Sequence, residues 1–288
     1  MNHKISAAIR VRVATFRYRL QELRWWLQVL PACVIAQVQS MWSSGSYHLL
    51  NAEEVRATRK SNTVFIFGSG SSLNTVSSEG WREIESHDTF SLRDFPRQSF
   101  VRTDYHMTGE VDDLEAYARR LRENPLYERA IFLIQSGFRA RNGNFLIGRR
   151  LLTRGSRVFR YRRASRGEIR LPSENIRWGV VHGPNSIVSA VNMAYLLGWK
   201  RIVLVGVDLN NKRYFWLEGD AIRPEEKSEI NVNDPFESGA QIRDIFALWA
   251  PYMRERGVEL LVYNPQSLLA GTIPVFQTPY RNSQKAQF

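Results

Sequence analysis

The sequence predicts an α/β fold: a Rossmann-like, doubly wound, mostly parallel sheet with a lid segment and an N-terminal helical extension. Three observations carry that expectation. Short β-rich apolar runs recur along the chain, each halted by Gly, Ser, Thr or Asp. Stretches of helical periodicity alternate with them, the pattern of parallel strands joined by crossover helices. The first strong run, Thr63 to Phe67 (TVFIF), stops on Gly68-Ser69-Gly70-Ser71-Ser72, and doubly wound sheets bind ligands at strand-to-helix turns of this kind.

Each element has its own signal. Ser72, Asn74, Thr75 and Ser77 offer caps for a first helix that continues through Trp81, Ile84 and Glu85 at helical spacing. Thr89 to Leu92 and Tyr105 to Met107 are short strands, the second ending at Thr108-Gly109. Val111 to Arg122 reads as a helix and Ala130 to Ile134 (AIFLI) as a strand. An arginine-rich stretch follows, whose order the sequence leaves open. Ile187 to Leu197 is an apolar helix, with Asn185 and Ser186 at its start and Gly198 at its end. Arg201 to Val207 (RIVLVGV) is a central strand that stops at Asp208, Gln241 to Arg256 a helix, and Glu259 to Tyr263 the last strand. Since ligands sit at the carboxyl ends of parallel strands, Gly68–Ser72, Thr108–Glu110, Asn185–Ser186 and Asp208–Asn210 should surround one cleft.

Charge divides the chain further. The net +12 is concentrated in two places: residues 1–60 carry nine Lys/Arg against three Glu, and residues 139–170 carry eleven Arg against Glu168 alone. What remains is slightly acidic. A chain that coats nucleic acid usually spreads its charge over the binding face, and two basic patches fit an anionic membrane surface or an anionic acceptor at least as well. The 139–170 stretch also has only Phe145, Phe159 and Tyr161 as stacking residues. Trp25 to Trp42 is apolar but interrupted by Gln28, Pro31, Gln37, Gln39 and Ser40, whereas a spanning helix needs about 20 mostly apolar residues. Preceded by Arg10, Arg12, Arg17, Arg19 and Arg24, it reads as an interfacial amphipathic helix with Trp anchors, with a packed helix or a signal anchor as alternatives. The lone Cys33 rules out an internal disulfide and points to a reducing compartment. The expected organisation is therefore a basic, Trp-rich extension over residues 1–60, a nucleotide-binding domain over 61–275 and a tail over 276–288. The expected location is the cytoplasm, peripheral on the inner membrane face, with membrane contact through residues 1–45; a homo-oligomer is left open.

The Gly-Ser loop is neither a P-loop, since no Lys-Ser/Thr follows, nor the full dinucleotide fingerprint, since Leu73 stands where Gly is wanted. Its glycines permit a tight turn, and a helix N-terminus behind it would offer N–H groups to a phosphate. Asn185-Ser186 is a second helix N-terminus, read either as a cap or as a ligand contact. Asp208 can bind a ribose hydroxyl, orient a neighbour, or simply close the turn. No Asp-x-Asp follows a strand, so the common magnesium grip of sugar transferases is not expected and no metal or cofactor is assigned. Of the five histidines, His106 falls inside a strand and reads as structural, while His182, just before Gly183-Pro184-Asn185, is the natural acid/base candidate.

Four stretches, taken in order, resemble the glycosyltransferase family 42 sialyltransferases of bacteria, and more distantly the motility-accessory transferases of nonulosonic acids. VFIFGSGSSL is similar to the family's opening strand and glycine turn. SIVSAVNMAYLLGWKRIVLVGVDL looks like its helix–strand unit ending in Gly-Ile-Asp. Tyr214-Phe215-Trp216 stands where the family has Tyr-Ala-Phe, and RDIFALWAPYMRERGVELLVYNPQSLLAG resembles its closing helix, strand and Pro-x-Ser-Leu-Leu. The resemblance spans Thr63 to Gly271 and implies an inverting, metal-independent transferase with a CMP-sugar donor, moving a sialic-acid-like or other acidic sugar to a surface-glycan or lipid-linked, anionic acceptor. It implies that Gly68, Ser69, Gly70, Ser71 and Ser72 line the nucleotide, that Asn185 and Ser186 lie by the cytidine and phosphate, that Tyr214 bonds the phosphate, and that residues 210–239 form a lid. The departures are specific. Asn210 replaces a second phosphate-binding tyrosine, Ser69 and Thr108 replace asparagines, and Arg93 falls where another asparagine is expected and can grip an anionic donor. The family's general-base histidine falls on Gly239 or Ala240, which leaves His182, Asp208 and Glu237 as substitutes. A transferase with another donor, or a catalytically inactive nucleotide-binding or interaction protein of the same fold, are the alternatives.

Overall fold

The computed structural model describes residues 30–109, 111–138, 140–164, 171–210, 213–217 and 238–278. Among these residues eight strands form one sheet: β1 (His48–Leu50), β2 (Thr63–Phe67), β3 (Asp88–Leu92), β4 (Tyr105–Met107), β5 (Ile131–Ser136), β6 (Arg157–Arg162), β7 (Arg201–Val205) and β8 (Glu259–Val262). Every pairing is parallel, in the order β1-β6-β5-β4-β3-β2-β7-β8. From β2 the chain adds strands in one direction out to β6, then crosses back to lay β7 against the other side of β2. The β2–β7 boundary is therefore the topological switch point, the place at which open α/β sheets bind ligands in a crevice beyond the carboxyl ends of the strands.

Side chains alternate across this sheet as the two-residue strand period requires. Val64, Ile66, Ile202 and Leu204 pack on one face with α2 (Ala52–Ala57), α6 (Ser186–Leu197) and α7 (Ser238–Arg254). Phe65, Phe67, Val203 and Val205 pack on the other with α3 (Ser78–Glu85), α4 (Leu114–Glu123) and α5 (Arg141–Gly148). Residues 30–43 form a further helix, α1, laid against α5. Both faces being covered explains why β2 and β7 are nearly continuous apolar runs.

The Gly-Ser unit matches the expectation in its cap, since Ser77 is one of the four expected, and departs from it in where the helix begins. The loop is followed by a 3-10 turn, Ser71–Thr75, and α3 begins only at Ser78, capped by Ser77, whose side chain accepts from the Gly80 N–H. The helix expected over 111–122 starts at Leu114, where Asp113 caps it by accepting from Ala116 N–H. The domain boundary also moves outward at both ends. His48–Leu50, assigned to the extension, is the edge strand beside β6, and α2 behind it is fixed by a reciprocal Asn51–Glu54 capping box. At the other end Phe276 is buried, its N–H bonded to Val262 O and its ring edge-on to Phe65 at 5.4 Å, so residues 276–278 belong to the body and not to a tail. The arginine-rich stretch supplies α5 and β6. No helix among the described residues is long and apolar enough to cross a membrane.

Candidate functional site

The switch-point crevice is built by three loops that grip one another. Leaving β2, the chain gives Gly68 N–H to Val205 O (2.7 Å) and Gly70 N–H to Gly206 O (2.8 Å), which lays the Gly-Ser loop along the end of β7. The closeness of that approach requires the glycines. A Cβ on Gly68 would lie 2.3 Å from Gly206 O, and one on Gly70 would lie 2.3 Å from Asp208 Oδ2. Gly206 itself holds φ +67° against the Leu73 side chain, a conformation that L side chains avoid.

Asp208 locks this arrangement. Its buried carboxylate accepts from Ser72 N–H (3.0 Å), Ser72 Oγ–H (2.5 Å) and Asn264 Nδ2 (3.0 Å), and its own carbonyl accepts from Leu268 N–H (2.9 Å). Ser267 Oγ donates to Val207 O at 2.6 Å beneath it. The acid thus ties together the loops after β2, β7 and β8. Three donors already surround it, so the structure places Asp208 as a tie and gives a ribose hydroxyl or an acceptor proton little free acceptor capacity there. Asn264 and Ser267 are the contributors that the sequence reading left unassigned. The Pro-x-Ser-Leu-Leu closure was visible as a pattern, but the contacts cross 56 and 60 residues.

The loop is also a smaller anion cradle than its glycines suggest. Besides the amides of Gly68, Gly70 and Ser72, that of Leu73 is engaged, donating to Gly70 O. Among the described residues this leaves the Ser69 and Ser71 amides and hydroxyls without a hydrogen-bond acceptor in the protein. The segment Arg213–Leu217 returns onto it: Tyr214 pairs with Gly70 in an antiparallel bridge, and Phe215 N–H donates to Ser69 O at 3.1 Å. Phe215 is then buried between Phe95 and Phe100, with ring centroids 5.4 and 5.7 Å away. The Trp216 ring stacks on Tyr214 at 4.7 Å and lies under the Arg97 guanidinium. Tyr214 is accordingly brought to the Gly-Ser loop. The rest of the expected lid, 211–212 and 218–237, lies outside the described residues, and so does the candidate base Glu237. Asn210 donates its side-chain amide to Gln266 O at 2.7 Å, which fastens it to the β8 loop.

A second group meets at the ends of β3 and β4 and the start of α6. Arg93, just past β3, is exposed and holds φ +43°; Leu209, just past Asp208, holds φ +59°. Left-handed backbone at residues other than glycine carries strain, and such strain collects at functional sites. A Cβ on Gly109 would lie 2.8 Å from Arg93 Cγ and 3.4 Å from Ser186 Oγ, so the glycine lets the arginine stem pass close to the α6 N-terminus. The side chain of Asn185 accepts from Ile187 N–H at 3.2 Å and acts as the cap. Thr108, at the end of β4, is buried with its N–H on Leu133 O.

His182 is half-buried in the loop before α6, with Nδ1 3.3 Å from Ser189 Oγ. The position matching the resemblance's histidine is closed by packing. Gly239 is buried with a prospective Cβ 3.2 Å from Leu209 O, and Ala240 is buried as well. His106 is enclosed in the sheet, between Ser91 Oγ (2.7 Å from Nδ1) and Tyr117 OH (2.5 Å from Nε2), and burial lowers its pKa to about 3. It is a neutral core group, as its place in a strand suggested.

The fold defines the class: a Rossmann-like, doubly wound α/β protein whose loops after β2, β7 and β8 meet at the switch point. No family model matches the chain, and no curated protein matches it in sequence.

Proposed function

We propose that the chain is a nucleotide-sugar transferase that moves an acidic sugar from a CMP donor to a surface-glycan or lipid-linked acceptor. The observation that carries this reading is the convergence, at one end of a parallel sheet, of the Ser69–Ser71 donors, the Tyr214 segment bridged to Gly70, and Arg93 beside Ser186. A nucleotide lying across the β2–β7 crevice would place its phosphate among hydroxyl and amide donors and one guanidinium, which suits a leaving group that gains charge. In the reaction, the acceptor hydroxyl oxygen bonds to the anomeric carbon from the side opposite CMP. The bond from that carbon to the phosphate oxygen breaks, CMP departs with the electron pair, and the acceptor proton passes to a base. His182 is our choice for the base, since Asp208 is engaged by Ser72 and Asn264. The donor assignment follows the resemblance to the sialyltransferases.

One observation favours a second reading, nucleotide binding without turnover. The place of the resemblance's histidine is filled by the buried Gly239 and Ala240. Thermal shift of the full chain with CMP, CDP, UDP and GDP, followed by CMP release from CMP-N-acetylneuraminic acid, separates the readings. The transferase reading expects stabilisation by CMP forms, and CMP release that His182→Gln lowers at least about a hundredfold. Stabilisation without release supports the binding module. A shift with UDP alone removes the CMP assignment, and no shift with any nucleotide removes both readings.

A further inference from the structure

Helix α1 is built the wrong way round for a helix that only packs on its own domain. At 100° per residue, Leu30, Met41, Val34, Val38, Trp42 and Ile35 fan across an arc of about 140°, and all six are exposed, Met41 at 63% and Trp42 at 81%. The opposite side, which meets the body, consists of Cys33, Ala36, Ser40 and Ser43, all buried. Small residues there allow a close approach to α5. Ser43 Oγ donates to Gly148 O at 2.9 Å, Asn144 Nδ2 donates to Gln37 Oε1 at 2.9 Å, and a Cβ on Gly148 would stand 2.7 Å from Gln39 Cβ. The helix is thus docked through its small and polar side, and its large apolar side faces outward as one contiguous stripe. A surface of that kind marks an interaction site.

Charge identifies the occupant. The neighbouring α5 carries exposed Arg141 and Arg149 and is followed by exposed Arg150 and Arg154. Upstream of α1, the sequence places Arg10, Arg12, Arg17, Arg19 and Arg24 against Glu22 alone. An apolar stripe set among arginines fits the interface of an anionic lipid bilayer, in which the apolar side chains enter the acyl boundary and the guanidinium groups meet lipid phosphates. The contacts also fix the direction of α1. Gln37 lies by Asn144, which also bonds Gly137 O at the carboxyl end of β5, whereas Ser43 lies by the far end of α5. The first turns of α1 therefore point to the end of the sheet where the crevice opens, and exposed Phe138 sits in the adjoining loop.

We infer that the outer face of α1 is a membrane-binding surface, selective for anionic lipid. This holds whatever reaction the crevice performs. The experiment is co-sedimentation of the full chain with vesicles of phosphatidylcholine and phosphatidylglycerol, against vesicles of phosphatidylcholine alone, for the wild type and for Met41→Glu/Trp42→Glu. Both substituted side chains are exposed, so circular dichroism and the unfolding midpoint should stay at wild-type values. The expected result is binding to the anionic vesicles at least about tenfold tighter than to the neutral ones, and a loss of at least about tenfold in the double variant. Full binding by the double variant would overturn the inference and leave the basic N-terminal residues as the whole anchor. Failure of the wild type to bind either vesicle would overturn it too. So would a wild-type dimer in analytical ultracentrifugation that the double variant dissociates, because that result assigns the stripe to a second copy.

Discussion

Replacing Asp208 by alanine tests whether the carboxylate is the tie that builds the crevice. The change removes the acceptor for Ser72 N–H, Ser72 Oγ–H and Asn264 Nδ2 at a residue only 5% exposed. A hydrogen bond to a charged group contributes about 1.5–3 kcal/mol, and partial relaxation and water entry keep three in one cluster from adding fully. The expected loss of unfolding free energy is therefore about 3–5 kcal/mol. At about 2–4 °C per kcal/mol for a domain of this size, the midpoint falls by roughly 6–20 °C. Asp208→Asn keeps the shape and one acceptor oxygen but turns an NH2 group toward a donor, so it should lose about 1–3 kcal/mol. Urea denaturation followed by circular dichroism measures both. An alanine variant within about 1 kcal/mol of wild type would refute the tie and return Asp208 to the list of groups free for chemistry.

Gly70→Ala should cost about 1–3 kcal/mol through collision alone, because φ −69° at Gly70 suits any residue while the new Cβ would meet Asp208 Oδ2 at 2.3 Å; the same denaturation assay measures it, and Ser71→Ala is the silent control. His106 makes stability pH-dependent. Burial depresses its folded-state pKa to about 3, below the unfolded value near 6.5, so its contribution is complete above about pH 6.5 and is lost as pH falls toward 3. Between pH 7 and pH 5 this amounts to about 2 kcal/mol, seen as the difference in pH slope between the wild type and His106→Phe.

Much of the fold was legible because β2, β5 and β7 are buried on both faces and read as unbroken apolar runs, and because α6 carries both its Asn185 cap and its Gly198 stop, the latter at φ +90°. The elements that were missed have physical reasons to be obscure. Next to the three-residue edge strand β1, β6 has its apolar residues interrupted by arginines (RVFRYR), so no long apolar run forms. Helix α5 (RNGNFLIG) contains Gly143 and Gly148, which read as loop signals. They are present because α5 presses on β5 and α1, where a Cβ on Gly143 would lie 2.2 Å from Gln135 O. In the crevice, Gly68–Ser72 and Tyr214 were legible as parts, but the role of Asp208 was not. Its partner Ser72 is 136 residues away, and a lone Asp after a strand looks the same whether it is a tie or a ligand contact.

Hydrogen–deuterium exchange with saturating CMP locates the ligand, which we propose lies across the β2–β7 boundary. Slower exchange is expected at Ser69, Ser71, Ser186 and the 213–217 segment, with β1 and α4 unchanged. Protection confined to other parts of the sheet, or none at a CMP concentration that shifts the melting temperature, would contradict it.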